Sequence, residues 1–382
     1  MQLLLSSKPF NFKNNAFDLI RLIMSILIVV GHSGGIGGFG WEPNLKMHDW
    51  QIIGTNLATF SVYIFFIISG FLVTYSWTNS SSLQDFCIKR IKRIYPGFLA
   101  SLIICSGFFV PTFYFLTRGF HPIQFIKEFG AQSSQFMITN IFIEVRQAGV
   151  NGLTSDLKGG FFGVNAPYWS LIHEVRAYLM VAVLGQFRFL NKTNILLFIA
   201  VIFNIIYFIC ASDFVLNIGL RSLHFRDLIS TFLAHYHFFI IFTYFIFGMV
   251  FYVFHKKIIW NNWFYALTIL GLVSGWKLDI FPIFAPICLT YFVLYSSQIL
   301  PLKNIKSKIG DISYGIYIYS WPIQLCLMYF GLNKITGNKY YDYSFFAAIS
   351  ILISMLAGYL SWNFVEKRWI VARKHIDSNK LD

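Results

Sequence analysis

The sequence predicts an all-α integral membrane protein, a bundle of about ten transmembrane helices, and three observations carry that reading. Hydrophobic residues make up 57% of the 382 and charged residues only 12%, where a soluble globular chain carries about a quarter charged. Phenylalanine alone occurs 44 times, more than one soluble core could absorb. Apolar runs long enough for a ~30 Å hydrocarbon core recur at 17–36, 57–77, 96–117, 167–187, 195–214, 229–253, 259–276, 280–299, 311–331 and 343–363. They leave no room for a soluble domain. The expected organisation is an N-terminal cytoplasmic segment (1–16), one membrane domain (17–369) and a cytoplasmic tail (370–382).

The net charge of +14 has two readings, nucleic-acid binding or membrane orientation, and its placement decides between them. With the N-terminus inside, inner segments hold 19 cations and 6 acids, a net of +13; outer segments hold 10 cations and 9 acids, a net of +1. This is the positive-inside pattern. Both termini are therefore expected in the cytoplasm, with membrane lipids as surroundings and no nucleic-acid partner. The first apolar run is too long for a cleavable signal, and Asp18 and Arg21 interrupt its start. Cys87, Cys105, Cys210, Cys288 and Cys326 show no metal-ligand spacing, so no metal is expected.

Helix 1 carries three groups that are costly inside a bilayer: Asp18, Arg21 and His32. Eleven positions at about 100° each bring His32 within about 20° of Arg21, some 16 Å further along the axis. Asp18 can pair with Arg21. The plainer alternative has Arg21 snorkelling to the inner interface and His32 ending the helix. The Gly-rich stretch Gly31–Gly38 lets backbone or ligand come close. It lacks the Lys and Ser/Thr of a phosphate loop. Its match to G-x-S-x-G around Ser33 is weak, because no strand precedes it.

Behind helix 2 stands the densest basic cluster, Lys89, Arg90, Lys92 and Arg93. It could be the orientation signal alone, or a clamp for phosphates, which guanidinium forks suit. Two outer segments, 37–56 and 118–166, are long and polar, as a polar ligand on that face would require. Helix 4 opens Trp169-Ser170-Leu171-Ile172-His173-Glu174-Val175-Arg176-Ala177-Tyr178. Ser170, Glu174 and Tyr178 fall on one stripe, while Arg176 turns to another face. A carboxylate there could orient an imidazole. His235 and His237 are reserve candidates.

In order along the chain, several elements together resemble the acyltransferase-3 family of bacterial membrane O-acyltransferases. They are Arg21-x10-His32; Phe65-Phe66-Ile67-Ile68-Ser69-Gly70-Phe71-Leu72; Arg90-x-x-Arg93-Ile94-Tyr95-Pro96; Trp169-Ser170-Leu171-x-x-Glu174-x-x-x-Tyr178; Ile312-Ser313-Tyr314-Gly315-Ile316-Tyr317; and Val365-Glu366-Lys367. No single motif is specific; the ordered set is. Two departures stand out: Ser320 where members often carry His, and Arg176 where an uncharged residue is usual.

The resemblance implies acyl transfer from cytoplasmic acyl-CoA, here acetyl-CoA, to an acceptor at the outer face of the bacterial inner membrane. The implied acceptor is a cell-surface glycan (O-antigen, lipopolysaccharide or capsule sugar), possibly lipid-linked; a small molecule, or a longer acyl donor, is the alternative within the family. A secondary transporter is the alternative from another class. No SGNH-hydrolase-type domain, which many members carry, is expected in this chain. On this scheme Arg90, Arg93, Lys89 and Lys92 hold the CoA phosphates and Arg21 flanks the pantetheine path. His32 is the general base, with Glu174 as its orienter, and Trp169, Ser170, Arg176 and Tyr178 line the acceptor. An acyl-histidine intermediate stays open, as does the oxyanion donor among Tyr178, Ser69 and Ser170.

Overall fold

A computed structural model describes residues 9–39, 57–150, 152–153, 163–211, 236–278, 280–303 and 305–370. Among them the regular structure is all helical, with no strand. The principal helices are α1 (Phe17–Ile36), α2 (Leu57–Thr78), α3 (Leu83–Ile104), α4 (Val110–Arg118), α5 (Pro122–Asn140), α6 (Leu171–Gln186), α7 (Thr193–Ala211), α8 (Tyr236–Phe254), α9 (Asn262–Lys277), α10 (Phe281–Ile299), α11 (Ser313–Tyr329) and α12 (Lys339–Ser361). A helix stands at each of the ten expected positions, although 212–214 and 229–235 lie outside the described residues.

Five helical stretches among the described residues are long and apolar enough to cross a membrane: Phe17–Ile36, Leu57–Thr78, Leu83–Arg118, Phe281–Ile299 and Lys339–Ile370. Thr193–Phe208 and Phe238–Phe254 are apolar but shorter. The chain is thus all-α and of membrane character.

Two departures from the sequence reading have physical causes. The first is α5, a helix inside the segment expected to be an outer polar connection. Its Lys127, Glu128 and glutamines keep it too polar for a hydropathy signal. Yet Phe125, Phe129, Ser133, Phe136 and Asn140 form a buried stripe at helical spacing. The second is the start of α3, at Leu83 rather than beside Pro96, so the basic cluster rides on a helix rather than in a connection. Ile94 to Thr117 then give 24 uncharged residues, roughly 36 Å of helix, which leaves the cations beyond a ~30 Å core. A π turn, Cys105–Phe109, joins α3 to α4, and Trp362–Glu366 form a second after α12.

The chain divides into two compact units. The first contains residues 1–24, 44–86 and 173–305. Within it α2 packs on α8, and α9 on α10. The α2–α8 approach is close because each helix offers a glycine. A Cβ at Gly70 would lie 2.0 Å from the Phe245 carbonyl oxygen, and one at Gly248 would lie 2.3 Å from that of Ile67. Small residues let helix backbones meet where water-driven burial is absent. Phe10, Phe12, Phe71, Tyr75 and Tyr252 form an aromatic cluster beside them. Ala16 N donates to Ser297 O at 2.7 Å, tying the chain start to α10.

The second unit contains residues 25–43, 87–172 and 306–382. Its centre is α11, every residue of which from Gly315 to Leu327 is buried. α12 packs along it, and α4 and the Cys105–Phe109 turn also touch it. At Gly315 a Cβ would meet the Gly358 backbone at 2.7 Å, so α11 and α12 cross in near contact. Ser106 and Ser133 clasp each other: Ser106 Oγ donates to Ser133 O at 2.6 Å and Ser133 Oγ to Ser106 O at 2.7 Å. That clasp anchors α5 on the π turn and satisfies groups the turn frees.

Candidate active site

α1 runs unbroken from Phe17 to Ile36 and carries both Arg21 and His32. Near its start, Arg21 Nη1 lies 3.7 Å from Asp18 Oδ1, the pairing that their three-residue spacing suggested. Near its end, the His32 ring meets Trp321 of α11 edge to face, centroids 4.9 Å apart and planes at 86°. His32 Nδ1 is buried and finds no hydrogen-bond partner among the described residues. A buried polar atom left so costs roughly 1–3 kcal/mol, and a bound reactant can relieve that cost.

The polypeptide around His32 is fixed by α11. Ser33 Oγ donates to Val29 O at 2.8 Å, and Gln324 Nε2 donates to both Val29 O and Ser33 Oγ, each at 2.8 Å. Asn333 Nδ2 donates to Gly37 O at 2.9 Å and holds the Gly-rich turn. Tyr343 of α12 donates to Val30 O at 3.0 Å. A histidine so buttressed cannot swing far, as a positioned base requires.

A second buried polar group lies on the same unit's π turn. The Tyr168 hydroxyl sits 2.6 Å from Ser101 Oγ and 3.5 Å from Cys105 Sγ, while Asn165 Nδ2 donates to Ile318 O at 2.7 Å. Trp321 Nε1 donates to Gly163 O at 3.0 Å. These bonds lock the turn before α6 onto α11. Sequence reasoning missed Gln324, Asn165, Tyr168 and Ser101. The missed signal was polarity in or beside an apolar run, where every polar side chain needs a reason.

The expected stripe of helix 4 is divided. Tyr178 OH donates to Glu174 Oε1, as the four-residue spacing foresaw. Ser170 instead ends the 3-10 turn Ala166–Ser170, and its hydroxyl lies 2.6 Å from the Tyr317 OH. Pro167 lies in the first turn of that segment, and Ser170 and Glu174 engage different partners, Tyr317 and Tyr178. Trp169 is half-buried and belongs with Ser170 to the second unit; Glu174, Arg176 and Tyr178 belong to the first, and Arg176 is exposed.

Lys89, Arg90, Lys92 and Arg93 lie on consecutive turns of α3. Arg93 is already engaged: Nη1 stands 2.8 Å from Asp311 Oδ2. Ser313 Oγ donates to Asp311 Oδ1 of that buried carboxylate at 3.0 Å. The closing Glu366 is buried too, its Oε1 accepting from Ser361 Oγ at 2.8 Å. No group of three His, Cys, Asp or Glu among the described residues could hold a metal. His235 lies outside the described residues, as do 40–56 and 154–162 of the outer segments and the tail from 371.

Comparison with known proteins places the chain in a family. The family described as an acyltransferase domain matches residues 14–363. An O-acetyl transferase of Shigella phage Sf6 is 25% identical over 366 residues, spanning 94% of this chain and 96% of the relative. Nodulation protein 10 of Rhizobium leguminosarum bv. viciae is 33% identical over 90 residues, 24% of this chain and 23% of its own. An uncharacterized protein of Haemophilus influenzae is 29% identical over 166 residues, covering 40% of this chain and 59% of the relative. No solved structure matches.

Proposed function

We infer the chemistry from kinship: this chain belongs to the family of acyltransferase domains and is an acyl-transferring enzyme. We propose that it is an O-acetyltransferase of the bacterial inner membrane, taking acetyl from cytoplasmic acetyl-CoA. The acceptor is a hydroxyl of a cell-surface glycan at the outer face. The observation that carries this reading is the end-to-end likeness to the phage O-acetyl transferase, joined to a buried His32 Nδ1 in the second unit with no hydrogen-bond partner among the described residues.

In the proposed reaction His32 removes the proton from the acceptor hydroxyl as its oxygen attacks the thioester carbonyl. The C–S bond then breaks, and the proton passes to the departing CoA thiolate. General-base help of this kind contributes about 10²–10⁴-fold. Arg90, Lys89 and Lys92 supply cations for the CoA phosphates where α3 leaves the hydrocarbon core. Arg93 adds to that field from its place on Asp311. Arg21 flanks the donor path, and Glu174, held by Tyr178, supports the acceptor side with Trp169, Ser170 and Arg176. About ten membrane spans and two cytoplasmic termini complete this arrangement.

The test is direct. Membranes from a strain lacking the gene, supplied with purified protein and radiolabelled acetyl-CoA, should acquire label in a glycan fraction that mild alkali releases as acetate. Mass spectrometry of that glycan with and without the gene locates the acetyl. Release of CoA with no label in any glycan would move the activity to another acceptor class.

A further inference from the structure

Gln324 is fully buried in α11, and the orientation of its amide is fixed by its neighbours. Its Nε2 donates to Val29 O, which can only accept, at 2.8 Å. The same Nε2 donates to Ser33 Oγ, whose own proton is spent on Val29 O. A flipped amide would set oxygen against oxygen at both contacts, so the network assigns the carbonyl end. That end, Oε1, is buried and finds no partner among the described residues. An unmet acceptor in a membrane interior calls for a donor.

The position of this atom narrows what the donor is. Gln324 follows Trp321 by three residues, one turn along α11, and the Trp321 ring packs on His32. Gln324 also bonds Ser33, the chain neighbour of His32. Two buried polar atoms with no hydrogen-bond partner among the described residues, His32 Nδ1 and Gln324 Oε1, thus belong to one set of contacts. Sugars carry hydroxyls on adjacent carbons. We infer that Gln324 Oε1 accepts a hydrogen bond from a second hydroxyl of the acceptor sugar, beside the one His32 deprotonates, and so selects a polyhydroxylated acceptor. This rests on the acyl transfer to a glycan proposed above. No proton moves at Gln324; it binds and orients.

The test uses the full-length enzyme, radiolabelled acetyl-CoA and, as acceptor, graded amounts of membranes bearing the host's own glycan. Gln324→Met keeps length and apolar volume but has no comparable acceptor. Losing one hydrogen bond and stranding its partner should lower kcat/KM for the glycan about 5- to 100-fold. The KM for acetyl-CoA should stay within about two-fold of wild type, since the donor makes no contact there on this reading. Ser33→Ala, a small change, removes one of the two bonds that orient the amide and should give a milder loss with the same donor-to-acceptor asymmetry. It decides the matter if Gln324→Met fails to accumulate. Undiminished glycan transfer in either folded variant overturns the inference, and so does a rise in the acetyl-CoA KM, which would assign Oε1 to a pantetheine amide. Wild-type enzyme that labels no glycan would sink the acceptor reading itself; the other outcomes sink the role of Gln324 alone.

Discussion

Arg93 Nη1 stands 2.8 Å from Asp311 Oδ2, joining α3 to the entrance of α11, and the Asp311 side chain is 2% exposed against 23% for Arg93. Breaking a buried pair strands a charge, at a cost on the order of 3 kcal/mol. Arg93→Gln should therefore lower the thermal midpoint in detergent, and adding Asp311→Asn should restore much of it. Arg90→Gln tests donor binding and should raise the acetyl-CoA KM. A midpoint unmoved by Arg93→Gln would mean that the pair does not bear on stability.

His32→Ala should cost at least about 10²-fold in turnover, the lower bound for a lost general base. The ring's described packing partner is Trp321, so folded yield by size-exclusion chromatography should hold. A well-folded variant retaining more than about a tenth of wild-type activity would place the base elsewhere, with His173 the next candidate.

Orientation is tested on exposed positions of the second unit. In a Cys-free background, Ser134→Cys on α5 should react with an impermeant maleimide in intact spheroplasts; Lys308→Cys should react only after lysis. Both side chains are exposed, so access depends on sidedness alone. The expectation comes from the +13 against +1 division of charge between inner and outer segments. The reverse labelling would invert the topology and the side from which the donor enters.

Gly70→Ile and Gly248→Ile should each abolish most folded yield. Added side chains there would start about 2 Å from the facing helix's carbonyl oxygens, a clash no rotamer relieves. Gly130→Ala meets only Ile126 carbons at 3.7 Å and beyond and should express normally. Equal yields for all three would deny the close α2–α8 crossing.

The helices were legible because apolar runs of bilayer length have few other meanings. α5 was not, since its half-polar surface averages out in hydropathy; only the periodic Phe125, Phe129 and Phe136 betray it. His32 could be singled out because an imidazole within a span is costly. Gln324 has the same signature, but an uncharged amide raises less suspicion. The Arg93–Asp311 pair spans 218 positions of sequence, and a single chain offers no local cue to such a meeting. Ser170 and Glu174 show the limit of spacing alone. Spacing placed them on one stripe, but it could not foretell that Ser170, at the end of a 3-10 turn, meets Tyr317 while Glu174 meets Tyr178.

The π turn at Cys105–Phe109 makes chain length, rather than side-chain identity, the sensitive quantity in the rod from Leu83 to Arg118. A π turn holds one residue more than α geometry would. The turn can lose that extra residue and close to α with the two halves still in phase, but deleting a residue elsewhere in the rod rotates one half against the other by about 100°. Arg93 at one end and Phe113 at the other could then no longer both face inward. The rod behaves as a shaft keyed at a fixed angle, and a residue lost outside the turn would act as a twist applied to both ends.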